Sequence, residues 1–138
     1  MKIIGLDLGT TTLGFAITDE SRIIVRGYEN FRFEKGNFKK AREHLVDILN
    51  KEGVNEVVIG LPINLDGTEG DRASSTRRFM NDVLKLKPGL IVHYEDERMT
   101  TVVASKRLHE MNLNTKKQKE IIDEMSAVVI LEDYLRKN

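Results

Sequence analysis

The sequence predicts an α/β domain built on a mixed five-stranded sheet with helices on both faces. Three observations point there. Residues 1–33 hold three strand-like runs in succession, which suggests an antiparallel meander. Beyond them, short apolar runs alternate with stretches of helical periodicity, the pattern of parallel strands joined by crossover helices. No repeat, low-complexity tract or Pro/Ser-rich linker breaks the 138 residues, so 1–138 reads as a single domain with a real core.

Taken in order, residues 2–8 and 13–19 read as strands joined by a turn at Gly9-Thr10-Thr11-Thr12, and a third strand falls within 23–33. Gly36-Asn37 punctuates, with Asn37 as the N-cap of an amphipathic helix over 38–51. Phe38, Ala41, Leu45 and Ile48 mark its apolar stripe and Gly53 its end. Residues 54–61 form a continuous apolar run, typical of a strand buried on both faces, and Pro62 stops it. A turn-rich loop covers 62–72, a helix 73–86 and a further buried strand 90–94. Thr100 or Thr101 caps a helix to about Met111, and Thr115-x-x-Gln118 is a capping-box signature opening a last helix to about Arg136.

Composition sets limits on function. An apolar content of 40% and a charged content of 32% belong to a soluble globular protein, and no run is long enough to span a bilayer. Met1-Lys2 leads straight into strand-like sequence rather than a signal peptide, and the absence of cysteine excludes thiol catalysis and suits a reducing compartment. A cytoplasmic location is the expectation. The 22 basic and 22 acidic residues cancel, which disfavours a nonspecific nucleic-acid binder yet permits a basic groove beside an acidic centre.

Asp7 is a lone carboxylate in the otherwise apolar run Ile3–Leu8. A buried strand tolerates it only where a metal, a cation or several donors replace its hydration, so it reads either as a turn residue before Gly9 or as a ligand for something positive. Glu97, in Glu95-Asp96-Glu97-Arg98, reads either as part of a solvated loop paired to Arg98 or as a second ligand. Asp123 is flanked at i+3, i+4 and i+7 by Ser126, Ala127 and Ile130, a stripe able to pack close to a sheet, whereas Glu120 and Glu124 read as surface charges. Convergence of the three carboxylates would suit magnesium or manganese, hard cations that take oxygen ligands and keep waters. Two such ions about 4 Å apart can serve both the attacking and the leaving oxygen of a phosphodiester.

Four motifs in order then match a known family. Gly5-Leu6-Asp7-Leu8-Gly9 with Gly14-Phe15-Ala16, the stretch Gly60–Gly70, Asp96–Thr101, and Asp123–Ala127 continuing through Ile130–Leu135 resemble the YqgF/RuvX family over essentially the whole chain. The resemblance implies an RNase H-like fold and a nuclease, similar to Holliday junction resolvases and linked to processing of the 5′ end of pre-16S rRNA. Carried over by motif, Asp7, Glu97 and Asp123 would be the catalytic and metal-holding carboxylates, with Mg2+ or Mn2+ as cofactor. Asp96 stays open as the alternative to Glu97, since neighbouring strand residues point to opposite faces.

One departure stands out: where the family commonly has a basic pair in the first turn, this chain has Thr11-Thr12, which can bond phosphate without supplying charge. Gly9, Thr11, Thr12, Asn64, Arg72, Arg98, Lys116 and Lys117 are the expected substrate-binding residues, with Arg77 and Arg107 as further cations. The expected partners are precursor rRNA or branched DNA and pre-ribosomal particles, with no membrane; monomer and homodimer both stay open. The leading function is a metal-dependent endonuclease acting on structured nucleic acid. The competing readings are a Holliday junction resolvase, a noncatalytic ribosome-assembly or transcription factor, and an actin-like nucleotide-binding domain suggested by Asp7-Leu8-Gly9-Thr10-Thr11.

Overall fold

A computed structural model gives the order β1 (Ile4–Leu8), β2 (Thr12–Thr18), β3 (Val25–Arg32), α1 (Phe38–Glu52), β4 (Glu56–Leu61), α2 (Asp71–Leu86), β5 (Ile91–Asp96), α3 (Thr100–Glu110) and α4 (Thr115–Lys137). It describes residues 1–97, 100–111 and 115–138, without the side chains of 100–103, 105, 115–121 and 123. The five strands lie in the order β3-β2-β1-β4-β5. β1, β2 and β3 pair antiparallel, whereas β1–β4 and β4–β5 pair parallel, so the expected mixed sheet forms with β1 at its centre.

Strand alternation sorts the side chains into two apolar clusters. Ile4, Leu6 and Leu8 of β1 join Leu13, Phe15 and Ile17 of β2 and Val57 and Ile59 of β4 beneath α1 and α2. Ala41, Leu45, Ile48 and Leu49 come from α1, and Phe79, Met80 and Val83 from α2, all spaced on single helical faces. A fully buried leucine such as Leu45 contributes about 1.5–3 kcal/mol through burial alone. On the opposite face Ile3, Ala16 and Val58 meet Ala127, Val128, Ile130 and Leu131 of α4. Gly5 allows this contact: a Cβ there would lie 2.8 Å from Leu131 Cβ and 2.9 Å from the Ala127 carbonyl oxygen.

The local signals place most helix ends. Asn37 Oδ1 accepts from Lys40 N at 3.4 Å, and Gly53 closes α1 in the left-handed region at φ 66°. α2 begins at Asp71, two residues before the sequence-based start, because its N-cap is Gly70, which has no side chain to announce it. The third strand starts at Val25, leaving Ile23 and Ile24 exposed in the β2–β3 turn. β5 reaches Asp96, past the expected end at 94, since main-chain pairing with β4 continues through Leu61↔Asp96.

Candidate active site

Asp7 lies one residue before the end of the central strand and shares a face with Gly5, the face that α4 covers. The β1–β4 register runs Ile4↔Val57, Gly5↔Val58, Leu6↔Ile59, which brings Gly60 next in line beside Asp7. On the far side of β4, Gly60 pairs with Glu95 of β5. Across β2, Asp7 pairs with Gly14, and Gly14 in turn with Asn30 of β3. Asp7 is therefore flanked on both neighbouring strands by residues without side chains, which opens floor space around its carboxylate.

Glu97 fills one side of that space. Its amide donates to the Leu61 carbonyl at 3.3 Å, which continues the β4–β5 ladder one step and returns the side chain to the α4 face. There the Glu97 carboxylate rests on Gly60: a Cβ on Gly60 would stand 2.6 Å from Glu97 Oε2 and 2.5 Å from Ile130 Cδ1 of α4. Glu95, two residues earlier on the same face, is buried and ion-paired with Lys137 at the end of α4. Asp96 alternates to the other face and is exposed. The register thus separates the two alternatives that adjacent residues leave open, putting Glu97 rather than Asp96 on the Asp7 face.

Asp123 belongs to α4 by its backbone, and its side chain lies outside the described residues; its neighbours Ser126 and Ala127 are buried against the sheet. Among the described residues no three carboxylates or histidines gather as a metal site. The donor set nevertheless suits a hard divalent cation, because Asp7 and Glu97 offer carboxylate oxygens on one face and Gly60 supplies a cradle that a side chain would fill.

The remaining expected residues lie around the rim. Gly9 N donates to the Thr12 carbonyl at 2.8 Å, closing the β1–β2 turn; Thr11 is exposed, while the Thr12 side chain is only 7% exposed. Arg72 Nη2 donates to the Leu8 carbonyl at 3.3 Å, fixing the start of α2 to the end of β1 one residue from Asp7. Asn64 and Arg72 line one cavity of about 310 Å3 with Pro62, Ile63, Gly70 and Asp71. The loop between β4 and α2 is internally tied: Asn64 Nδ2 donates to Thr68 Oγ1, Thr68 bonds Asp66, and Ile63 bridges Glu69. Arg77 holds Glu69 through two 2.9 Å bonds and lies over the Tyr94 ring. Arg107 pairs with Glu132, which joins α3 to α4. Arg98 lies outside the described residues, as do the side chains of Lys116 and Lys117.

One residue reads differently from its sequence. Glu124 is not a plain surface charge: it is half-buried over Gly27 of β3, in a dent where any Cβ would collide with its carboxylate. Burial pushes its carboxyl above the usual range, and the charge of Glu29 adds to the rise. His44 stacks on Phe31 with centroids 3.9 Å apart and meets Glu29, whereas His93 meets Glu56. Gly60, a structural key to the site, carries a faint sequence signal as a small residue at the end of an otherwise bulky strand.

Comparison with known proteins bears on the family and the fold. A family model described as "Holliday junction resolvase", RuvX, matches residues 1–137. A protein of Oceanobacillus iheyensis named "putative pre-16S rRNA nuclease" is 37% identical over 135 residues, covering 98% of each chain. A relative of the same name from Ruminiclostridium cellulolyticum is 39% identical over 135 residues, covering 98% of this chain and 94% of its own. Among solved structures, T. thermophilus RuvC in complex with a Holliday junction substrate superposes with a TM-score of 0.61 at 13% identity, covering 100% of this chain and 97% of that one. The fowlpox virus Holliday junction resolvase gives 0.58 at 14% identity, covering 100% of both chains. Fold and family together define the class, an RNase H-like nuclease. The chain belongs to the RuvX family. Among the described residues, no helix is long and apolar enough to cross a membrane.

Proposed function

We propose that this chain is a divalent-metal-dependent endonuclease that hydrolyses a phosphodiester bond near the 5′ end of precursor 16S rRNA, acting in the cytoplasm on pre-ribosomal RNA. The observation that carries this reading is the pair Asp7 and Glu97 on one face across Gly60. The curated relatives' names supply the substrate. Magnesium or manganese, when bound, supplies water activation and neutralisation of charge on the phosphate. Asp7 and Glu97 hold the cation, and Asp123 completes the set. Asp7 does so from the central strand, paired on both sides, which positions its oxygens before substrate arrives. Arg72, beside Leu8, and the exposed Thr10 and Thr11 of the β1–β2 turn receive the phosphates flanking the scissile bond.

The family model's description and the resolvase fold favour a second reading, cleavage of a four-way DNA junction. That activity needs two symmetric sites and hence a dimer. One experiment separates the two. An RNA spanning the mature 5′ end of 16S rRNA and a four-way DNA junction are each incubated with the parent protein and with Asp7→Asn, in magnesium, manganese and chelator. Metal-dependent cleavage of the RNA alone, lost in Asp7→Asn by about a thousandfold, supports the proposal. Cleavage of the junction alone transfers it to the second reading, and equal cleavage by Asp7→Asn overturns the assignment of the site.

A further inference from the structure

Between the N-terminal half of α1 and the outer side of α2 lies a cleft of about 290 Å3, floored by Phe38 and Phe79 and rimmed by Lys39, Arg42 and Arg78. It opens at the same end of the sheet as Asp7. β3 finishes at Arg32 beside Thr12, the residue that begins β2, so the segment leading into α1 leaves the sheet where β1 also ends.

The charge of this cleft is lopsided in a chain whose net charge is zero. Residues 32–42 carry five cations and one carboxylate. The acid lining the cleft, Asp82, is already engaged by Arg42 at 3.8 Å and Lys85 at 3.5 Å. Lys39 and Arg78 are exposed and have no ion-pair partner among the described residues. The first turn of α1 holds no acid, although acids there would suit the helix dipole; it carries Lys39 and Lys40 instead. Two free cations and an unfavourably charged helix start facing one cleft would be offset by an anionic ligand.

The cleft lies on the sheet face under α1 and α2, opposite the Asp7 face, and Arg72 links the two at the strand ends. Arg72, Ser75, Arg78 and Asp82 succeed one another at helical spacing along α2, and Arg72 is the residue bonded to Leu8 beside Asp7. Arg78 stands six positions after Arg72, about 9 Å further along the helix axis and about a third of a turn around it, so a strand that meets both must curve round α2.

The geometry points to the α1–α2 cleft as a second binding site for the substrate strand, taking phosphates that flank the scissile bond on Lys39 and Arg78. This extends the proposed function and rests on it for the position of the scissile phosphate. Recognition here is of backbone charge and not of base sequence.

Binding of a fluorescein-labelled single-stranded RNA of about 12 nucleotides tests it, read by anisotropy across a salt series, with chelator present so that no cleavage occurs. In Lys39→Gln/Arg78→Gln, two lost phosphate contacts should reduce the slope of log affinity against log salt by about 1.4 and weaken binding about 25-fold near 0.1 M salt. Lys51→Gln/Lys87→Gln removes the same charge from the C-terminal ends of α1 and α2, at the other end of the sheet, and should bind like the parent. Affinity and slope unchanged in the cleft variant, or an equal loss in the control variant, overturn the proposal. A thermal melt establishes that each variant is folded. Because binding is read without cleavage, the outcome is independent of whether the parent cuts precursor rRNA.

Discussion

Gly60 and Glu97 share one volume: the glycine leaves the space above β4 that the Glu97 carboxylate occupies, with Oε2 2.6 Å from where a Cβ would stand. A methyl group there must displace Glu97, Ile130 of α4, or both. Gly60→Ala is therefore expected to cost about 1–3 kcal/mol of stability through overpacking and about 100-fold in turnover through misplacement of the carboxylate. Denaturant melts and cleavage rates measured on one preparation check both. Full activity in Gly60→Ala would mean that Glu97 does not work from this position.

The alternation of β5 past Asp96 makes a sharper distinction. Glu97→Gln should lower metal-dependent cleavage by about a thousandfold. Asp96→Asn, exposed and on the other face, should stay within about threefold of the parent, the range of a small surface effect below 1 kcal/mol. Single-turnover rates in magnesium decide between them; the reverse ranking would reassign the ligand.

Arg72 should act on substrate affinity. Removing the proposed phosphate contact in Arg72→Gln is expected to raise KM about fivefold near 0.1 M salt with little change in kcat. A matching loss in kcat would instead show that the bond to Leu8 positions Asp7.

Glu124 gives a pH signature. Its folded-state pKa is raised by burial and by Glu29, so the stability linked to its neutral form is fully present below the unfolded-state carboxylate value. That stability is lost as pH rises through the raised folded value. Glu124→Gln, which is fixed neutral, should melt at a higher temperature than the parent near pH 7 and at about the same temperature near pH 4. Thermal melts at both pH values check this, and a lower melting temperature near pH 7 would contradict it.

What could be read directly from the chain was local. Asn37 and Gly53 announce the ends of α1 by their own chemistry, and the β-β-β-α-β-α-β-α-α order follows from changes of hydrophobic period. Missed features depended on distant partners. Glu95 looks like loop charge until Lys137, 42 residues away, pairs with it in the fold. Glu124 looks solvated until Gly27 provides the dent it fills. The start of α2 leaves no mark in the sequence because glycine caps it silently. Asp7 was conspicuous because a carboxylate in an apolar strand is costly. The choice between Asp96 and Glu97 required the register, which no adjacent pair of acids encodes.

The order of elements along the chain has a consequence for synthesis. Asp7 is made before α4, yet the sheet face that bears it is roofed by that helix through Ala127, Ile130 and Leu131. Until that helix docks, Ile3, Ala16 and Val58 lie bare and Glu97 lacks Ile130 as its wall. Completion of the fold and closure of the face that bears Asp7 and Glu97 are thus a single event.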